Sequence, residues 1–235
     1  MQDEGSAFAI RITISTPLSL RGLLHLDGFL GSLAVMRGSS HDNIPLSRRR
    51  GITLGSVAIL ETGPFGAIDA SQPRTKHLND HYVPGDIFDG LKPSRLKIGS
   101  TSPYRNKLTS YPCLESVHAV WFTGTGDVEG VMELLHEARN IGAMGRTGYG
   151  RINSISSVPV KPHAEAGFAF NQSTPARVMP VEVWRDYSQD ISSCVVSLER
   201  PIPPYWTGSR VLCIGPLQTD LILTRSEISE LLQIG

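Results

Sequence analysis

The stretch IGAMGRTGYGRI, residues 141–152, decides how this chain is read. Gly142, Gly145, Gly148 and Gly150 alternate there with Arg146, Tyr149 and Arg151. Glycine admits positive φ and lets another backbone come close. Arginine offers a planar fork of donors that matches phosphate, and tyrosine a ring on which a base can stack. Such a loop can hold a phosphodiester strand. It also reads as a glycine-rich helix-to-strand connection with solvated arginines, so the flanking sequence has to weigh between the two.

Upstream, residues 117–123 (VHAVWFT) form an apolar run rich in β-formers, which predicts a mostly buried strand. Gly124 and Gly126 break it, and Asp127 can cap a helix over 127–140, with Val128, Val131, Met132, Leu135 and Ala138 at helical spacing. A strand over 151–158 follows the loop. Nearer the start, Phe8, Ile10, Ile12 and Ile14 alternate along a strand over 8–15. Leu26, Phe29, Leu30, Leu33 and Met36 stripe a helix over 23–36, with His25 and Asp27 at its start, and residues 51–60 predict a further strand. The exposed Arg48-Arg49-Arg50 run precedes that strand. The order strand, helix, strand, insertion, strand, helix, strand predicts an α+β fold. Its core, residues 1–160, is a ferredoxin-like (RRM-like) βαββαβ unit.

The insertion, residues 62–112, is too long for a hairpin loop. Between Leu91 and Leu114 it carries five basic residues (Lys92, Arg95, Lys97, Arg105, Lys107) and no acid, with Tyr104 and Tyr111 interleaved. Charge for phosphate, rings for bases, and serine and threonine hydroxyls for backbone and 2′-OH contacts suit single-stranded RNA, although a solvated loop has the same composition. Residues 161–235 read as a C-terminal extension packed on the core. Strands are expected near 198–200 and 210–214 and a helix over 226–232, with Tyr205 and Trp206 read as packing residues in preference to a base-stacking platform.

Basic and acidic residues both number 22, so net charge announces no polyanionic partner. Cys113, Cys194 and Cys213 form no CxxC pair, which argues against a disulfide frame and a cysteine zinc site. No apolar run is long enough to span a membrane, and the N-terminus is acidic where a signal peptide is basic. We expect a soluble, cytoplasmic protein with no cofactor, no metal and no membrane partner. His77, Asp80 and His81 come closest to a metal-ligand spacing but lack a third ligand at motif distance. No nucleotide-binding or hydrolase motif is present.

The glycine loop after a helix resembles the C-terminal signature of the RAMP superfamily of CRISPR-associated proteins. Three further stretches, LHLDGFLG (24–31), PSRLKIGSTSPYR (93–105) and PPYW (203–206), resemble the type IV effector subunit that is the counterpart of the fifth Cas family. The resemblance implies an RRM-like domain with a protruding thumb. It also implies a non-catalytic subunit that caps the 5′ handle of the guide RNA, contacts the backbone and large subunits, and meets target DNA through the assembled complex. The RNA-binding residues it suggests are Ser94, Arg95, Lys97, Ser100, Tyr104, Arg105 and Lys107 in the insertion, with Arg146, Tyr149 and Arg151 in the loop. Two other readings stay open. One is a metal-independent guide-RNA-processing endonuclease using His25 as base; the other is a metal-dependent hydrolase around His77, Asp80 and His81.

Overall fold

A computed structural model of the chain describes residues 6–76, 107–160, 166–192 and 194–234. The elements run β1 (Ser6–Ile14), α1 (Leu26–Met36), β2 (Arg48–Arg49), β3 (Ile52–Thr53), β4 (Ile59–Thr62), β5 (Ile68–Lys76), β6 (Lys107–Glu115), β7 (Val117–Gly126), α2 (Val128–Leu135) and β8 (Ile152–Pro159). They continue with β9 (Met179–Pro180), α3 (Val181–Arg185), β10 (Cys194–Glu199), β11 (Val211–Pro216), β12 (Ile222–Thr224) and α4 (Arg225–Leu231). The α+β expectation holds, with a core that is mostly sheet.

The main sheet has the order β12-β4-β7-β1-β8. β1 pairs antiparallel with both β7 and β8, β4 pairs antiparallel with β7, and β12 lies parallel to β4. The sheet is therefore five-stranded and mixed. Its fifth strand comes from the region that the sequence marks only as an extension. A second sheet, β10-β11-β9, belongs to the same compact unit, which spans residues 1–68 and 114–235. β5 and β6 form a two-stranded ribbon, all of which but Ile68, Leu114 and Glu115 belongs to a separate unit, residues 69–113.

Period-2 alternation sends successive side chains of each strand to opposite faces. On one face Phe8, Ile10 and Ile12 of β1, Val120 and Phe122 of β7 and Leu60 of β4 pack with Leu26, Leu30 and Leu33 of α1. Val131, Leu134 and Leu135 of α2 complete this cluster. On the other face Ala9, Ile59, Ala119 and Trp121 pack with Leu221, Ile228 and Leu232 around α4. Apolar residues at consecutive positions of β7 are thus explained: both faces of that strand are covered. Leu54, Phe168, Met179, Trp184 and Ile214 make a third cluster around the smaller sheet.

Four boundaries depart from the sequence reading. β7 does not break at Gly124 but runs on to Gly126, because these residues stay paired with Ser6–Phe8 of β1. Residues 51–60 are not one strand: β2 and β3 form a short hairpin, and the chain leaves it through Leu54–Ala58 before β4. α1 starts at Leu26, because the Leu26 amide bonds the Ser56 carbonyl and the chain before it is extended. α2 stops at Leu135, short of Asn140. Arg37 donates to the Glu133 carbonyl at 2.9 Å and pairs with the Glu133 and Glu137 carboxylates, which satisfies the last turn from outside.

Candidate nucleic-acid interface

The glycine loop is fastened to the segment after β1. Ala143 donates to the Ser19 carbonyl (2.7 Å), Gly150 to the Pro17 carbonyl (2.9 Å), and the Arg151 amide to Thr16 Oγ1 (2.8 Å). Ile141 donates to the Gly150 carbonyl at 2.8 Å, so the loop's two ends close on each other. Between them Gly145–Thr147 make a 3-10 turn, and Thr147 Oγ1 donates to the Met144 carbonyl at 2.7 Å. Two glycines are demanded by this geometry. Gly142 has φ +81°, and a Cβ there would lie 2.6 Å from the Ser19 carbonyl oxygen. Gly150 has φ +59°, and its Cβ would run into the Ile141 carbonyl. Here the close backbone is the chain's own.

Arg146 and Arg151 are exposed on this platform, and so are Arg21 and Arg139. Arg21 reaches Met144 Sδ at 3.8 Å, which sets it beside the loop. No acid lies between Ala138 and Ile152, so the described loop is a purely basic surface. The sequence reading missed Arg21 because its nearness to the loop comes from tertiary hydrogen bonds over more than 120 positions. Tyr149 does not share the surface. It is 1 % exposed, so its ring is packed inside and is not presented to a base.

The arginine triplet is occupied. Arg48 pairs with Asp42 at 3.4 Å, Arg50 with Asp186, and Arg49 lies over the Phe168 ring at 4.9 Å. Its sign suits phosphate, but each member is held against its own chain. Lys107 opens β6. Ser94, Arg95, Lys97, Ser100, Tyr104 and Arg105, as well as His77, Asp80 and His81, lie outside the described residues. No group of three or more His, Cys, Asp or Glu among the described residues is arranged to hold a metal ion.

Behind the loop is a buried polar network absent from the sequence reading. Arg177 Nη2 lies 2.9 Å from Asp27 Oδ2, both side chains being fully buried; Oδ2 makes this ion pair without a well-angled hydrogen bond. Asp27 Oδ1 accepts from the Tyr205 hydroxyl (2.6 Å) and the Gly28 amide (2.8 Å). Arg177 also donates to the carbonyls of Thr53, Gly55 (3.3 Å) and Pro201 (3.1 Å). Burial opposes the guanidinium's charge, yet Asp27 and Tyr205 more than offset it and raise its pKa. Burial, then Asp27, pushes the Tyr205 hydroxyl well up. The network ties α1 to the connection before β11 that carries Tyr205 and Trp206. Tyr205 is thus a packing residue, as expected, but a hydrogen-bonded one.

His25 precedes α1, its ring 4.8 Å from that of Tyr205. Burial lowers its pKa to about 4, against a pull upward from Asp27 and a further push down from Arg177, so it is neutral at neutral pH. Its Nδ1 is buried without a hydrogen-bond partner.

On the opposite face of the sheet Glu61 accepts two hydrogen bonds from Arg11 (2.9 and 2.8 Å) and one from Trp121 Nε1 (2.6 Å). Arg225 of α4 lies over the Trp121 ring at 4.3 Å. Burial would raise the Glu61 pKa, but the Arg11 and Trp121 bonds and the charges of Arg11 and Arg225 hold it below the usual range. This cluster fastens α4 to the sheet.

No helix among the described residues is long and apolar enough to cross a membrane. A loop-and-arginine platform on an α+β core is the kind of surface that nucleic-acid-binding proteins present. Residues 73–214, more than half of the chain, match the family model described as "CRISPR type IV associated protein Csf3", and the chain belongs to that family. No curated protein matches it.

Proposed function

We propose that the chain is an RNA-binding subunit of a type IV CRISPR-Cas ribonucleoprotein effector. In this reading it caps the 5′ handle of the guide RNA, joins the backbone and large subunits, and catalyses no reaction. The observation that carries the proposal is the basic surface of Arg21, Arg139, Arg146 and Arg151 around the glycine loop, in a chain of a type IV CRISPR-associated family. The finer fold reading is supported by the order β4-β7-β1-β8, with α1 and α2 on one face. We read this order as a split βαβ arrangement of the ferredoxin-like kind, with β12 as an addition. It favours the RAMP superfamily and the counterpart of the fifth Cas family.

The test is binding of handle-containing repeat RNA by the parent and by Arg95→Ala, Arg146→Ala and Arg151→Ala over a range of salt, with and without EDTA. Removing one arginine that neutralises a phosphate should lower the salt slope by about 0.7 to 1. Binding without cleavage is the expected result. EDTA-resistant cleavage would favour the processing endonuclease, for which neutral His25 could serve as base, and EDTA-sensitive hydrolysis the metal enzyme. Unchanged binding by all three variants at every salt concentration would remove the loop and insertion from the interface.

A further inference from the structure

Two cavities adjoin beside the glycine loop. The first, about 510 Å³, is lined by Arg21 and Arg200; the second, about 240 Å³, by His41, Gly142 and Trp206. Leu23, His25 and Tyr205 line both, so the two form one cleft with a shared wall. We propose that this cleft holds a single unpaired nucleotide of an RNA strand, its base against Trp206 and its phosphate on Arg21 and Arg200. The inference rests on the RNA-binding reading and deepens it, since it sets a base-binding subsite next to the phosphate-binding loop.

Trp206 is the first reason. It is 69 % exposed, whereas Trp121 and Trp184 are completely buried. The His41 ring meets it edge-on, 5.4 Å between centroids, which braces the indole without covering it. A braced, exposed indole is a stacking platform that tolerates any base. Charge is the second reason. Arg200 donates Nε to the Gly208 carbonyl at 2.9 Å, which fixes its guanidinium, and Arg21 is exposed beside the loop. Glu199 is the only carboxylate among the described residues lining either cavity. It keeps the net charge low, which suits one phosphodiester rather than a polyphosphate. The third reason is the wall. His25, its ring neutral and its Nδ1 buried without a hydrogen-bond partner, lines both cavities beside Tyr205. The Asp27–Tyr205–Arg177 network holds the Tyr205-Trp206 turn against α1, so the cleft is preorganised.

Because Trp206 is the only exposed tryptophan, its fluorescence reports on the cleft. The full chain is titrated with the four nucleoside monophosphates, with ribose 5-phosphate and with handle-containing RNA, while fluorescence anisotropy of labelled RNA follows binding independently. We expect saturable quenching by RNA and by nucleotides but not by ribose 5-phosphate, and no such quenching in Trp206→Ala. We also expect RNA affinity to fall about five- to a hundredfold in Trp206→Ala, the range of base–aromatic stacking, and several-fold in Arg21→Ala. RNA that binds by anisotropy but leaves Trp206 unquenched, or binds Trp206→Ala as tightly as the parent, overturns the cleft and leaves the RNA reading standing. Nucleotide quenching without RNA binding overturns the RNA strand as occupant, and the guide-RNA role with it, and leaves a site for free nucleotides. Neither quenching nor binding removes both.

Discussion

Asp27→Asn is the sharpest perturbation of the buried pair. Asparagine keeps an oxygen for the Tyr205 hydroxyl and the Gly28 amide, so the substitution removes chiefly a charge. Arg177 stays buried, held by the carbonyls of Thr53, Gly55, Val178 and Pro201 and by the Tyr205 hydroxyl at 3.3 Å. At about 4 Å between charge centres and an effective dielectric near 20, the forfeited attraction is about 4 kcal/mol. The carbonyl dipoles recover part of it, which leaves a destabilisation of about 3 kcal/mol, at the low end for a broken buried pair. In a chain of this size that lowers Tm by roughly 6–12 °C. Urea unfolding followed by near-UV circular dichroism gives the stability, with the m-value as a check that the denatured state is unchanged. Arg177→Met alone and the double variant complete a cycle, whose coupling should exceed about 1 kcal/mol. A destabilisation below about 1 kcal/mol in Asp27→Asn would refute the reasoning, because the carbonyls around Arg177 would then suffice without the carboxylate.

Other outcomes follow from the same geometry. Folded His25 titrates near pH 4 and its unfolded counterpart near 6.5, so on acidification the unfolded chain takes up the proton first. Its stabilisation is complete above about pH 6.5 and fades as pH falls toward 4, about 3 kcal/mol in all; His25→Gln should flatten that limb of a stability–pH curve. Gly150→Ala should cost about 3 kcal/mol or more, since a positive φ and a clash with the Ile141 carbonyl add together. Gly148→Ala meets no neighbour, and only its φ of +95° costs, about 1 kcal/mol; thermal melts of the pair separate the two causes. Glu61→Gln should cost about 2 kcal/mol in urea unfolding by weakening the Arg11 and Trp121 bonds.

Periodicity made the sheet legible. The alternation of Phe8, Ile10 and Ile12 and the run Val117–Phe122 survive as β1 and β7 because burial follows the two-residue repeat. Hydrogen bonds from distant segments fixed the ends of elements instead: Ser56 sets where α1 starts, and Arg37 closes α2. The loop's glycines were visible, but not the reason for them. They accommodate residues 17–19 and Ile141 of the same chain, and Tyr149 turns inward. The Asp27–Arg177–Tyr205 network left no local trace, since its members stand 150 and 178 positions from Asp27 and carry no spacing rule. An arginine between two prolines, as Arg177 is, looks solvated until the fold supplies a buried carboxylate.

The parallel pairing of β12 with β4 has a consequence for how the molecule is made. Ile222–Thr224 complete a sheet whose other four strands are already synthesised by Pro159. Until those three residues emerge from the ribosome, β4 offers its amides and carbonyls as an open edge, and Trp121 and Glu61 lack the cover of α4. An open edge beside uncovered aromatic surface is a template for pairing with another chain. Production of this protein is thus most exposed to aggregation late in translation, and a truncation before Ile222 should yield an insoluble chain although most of the sheet is present.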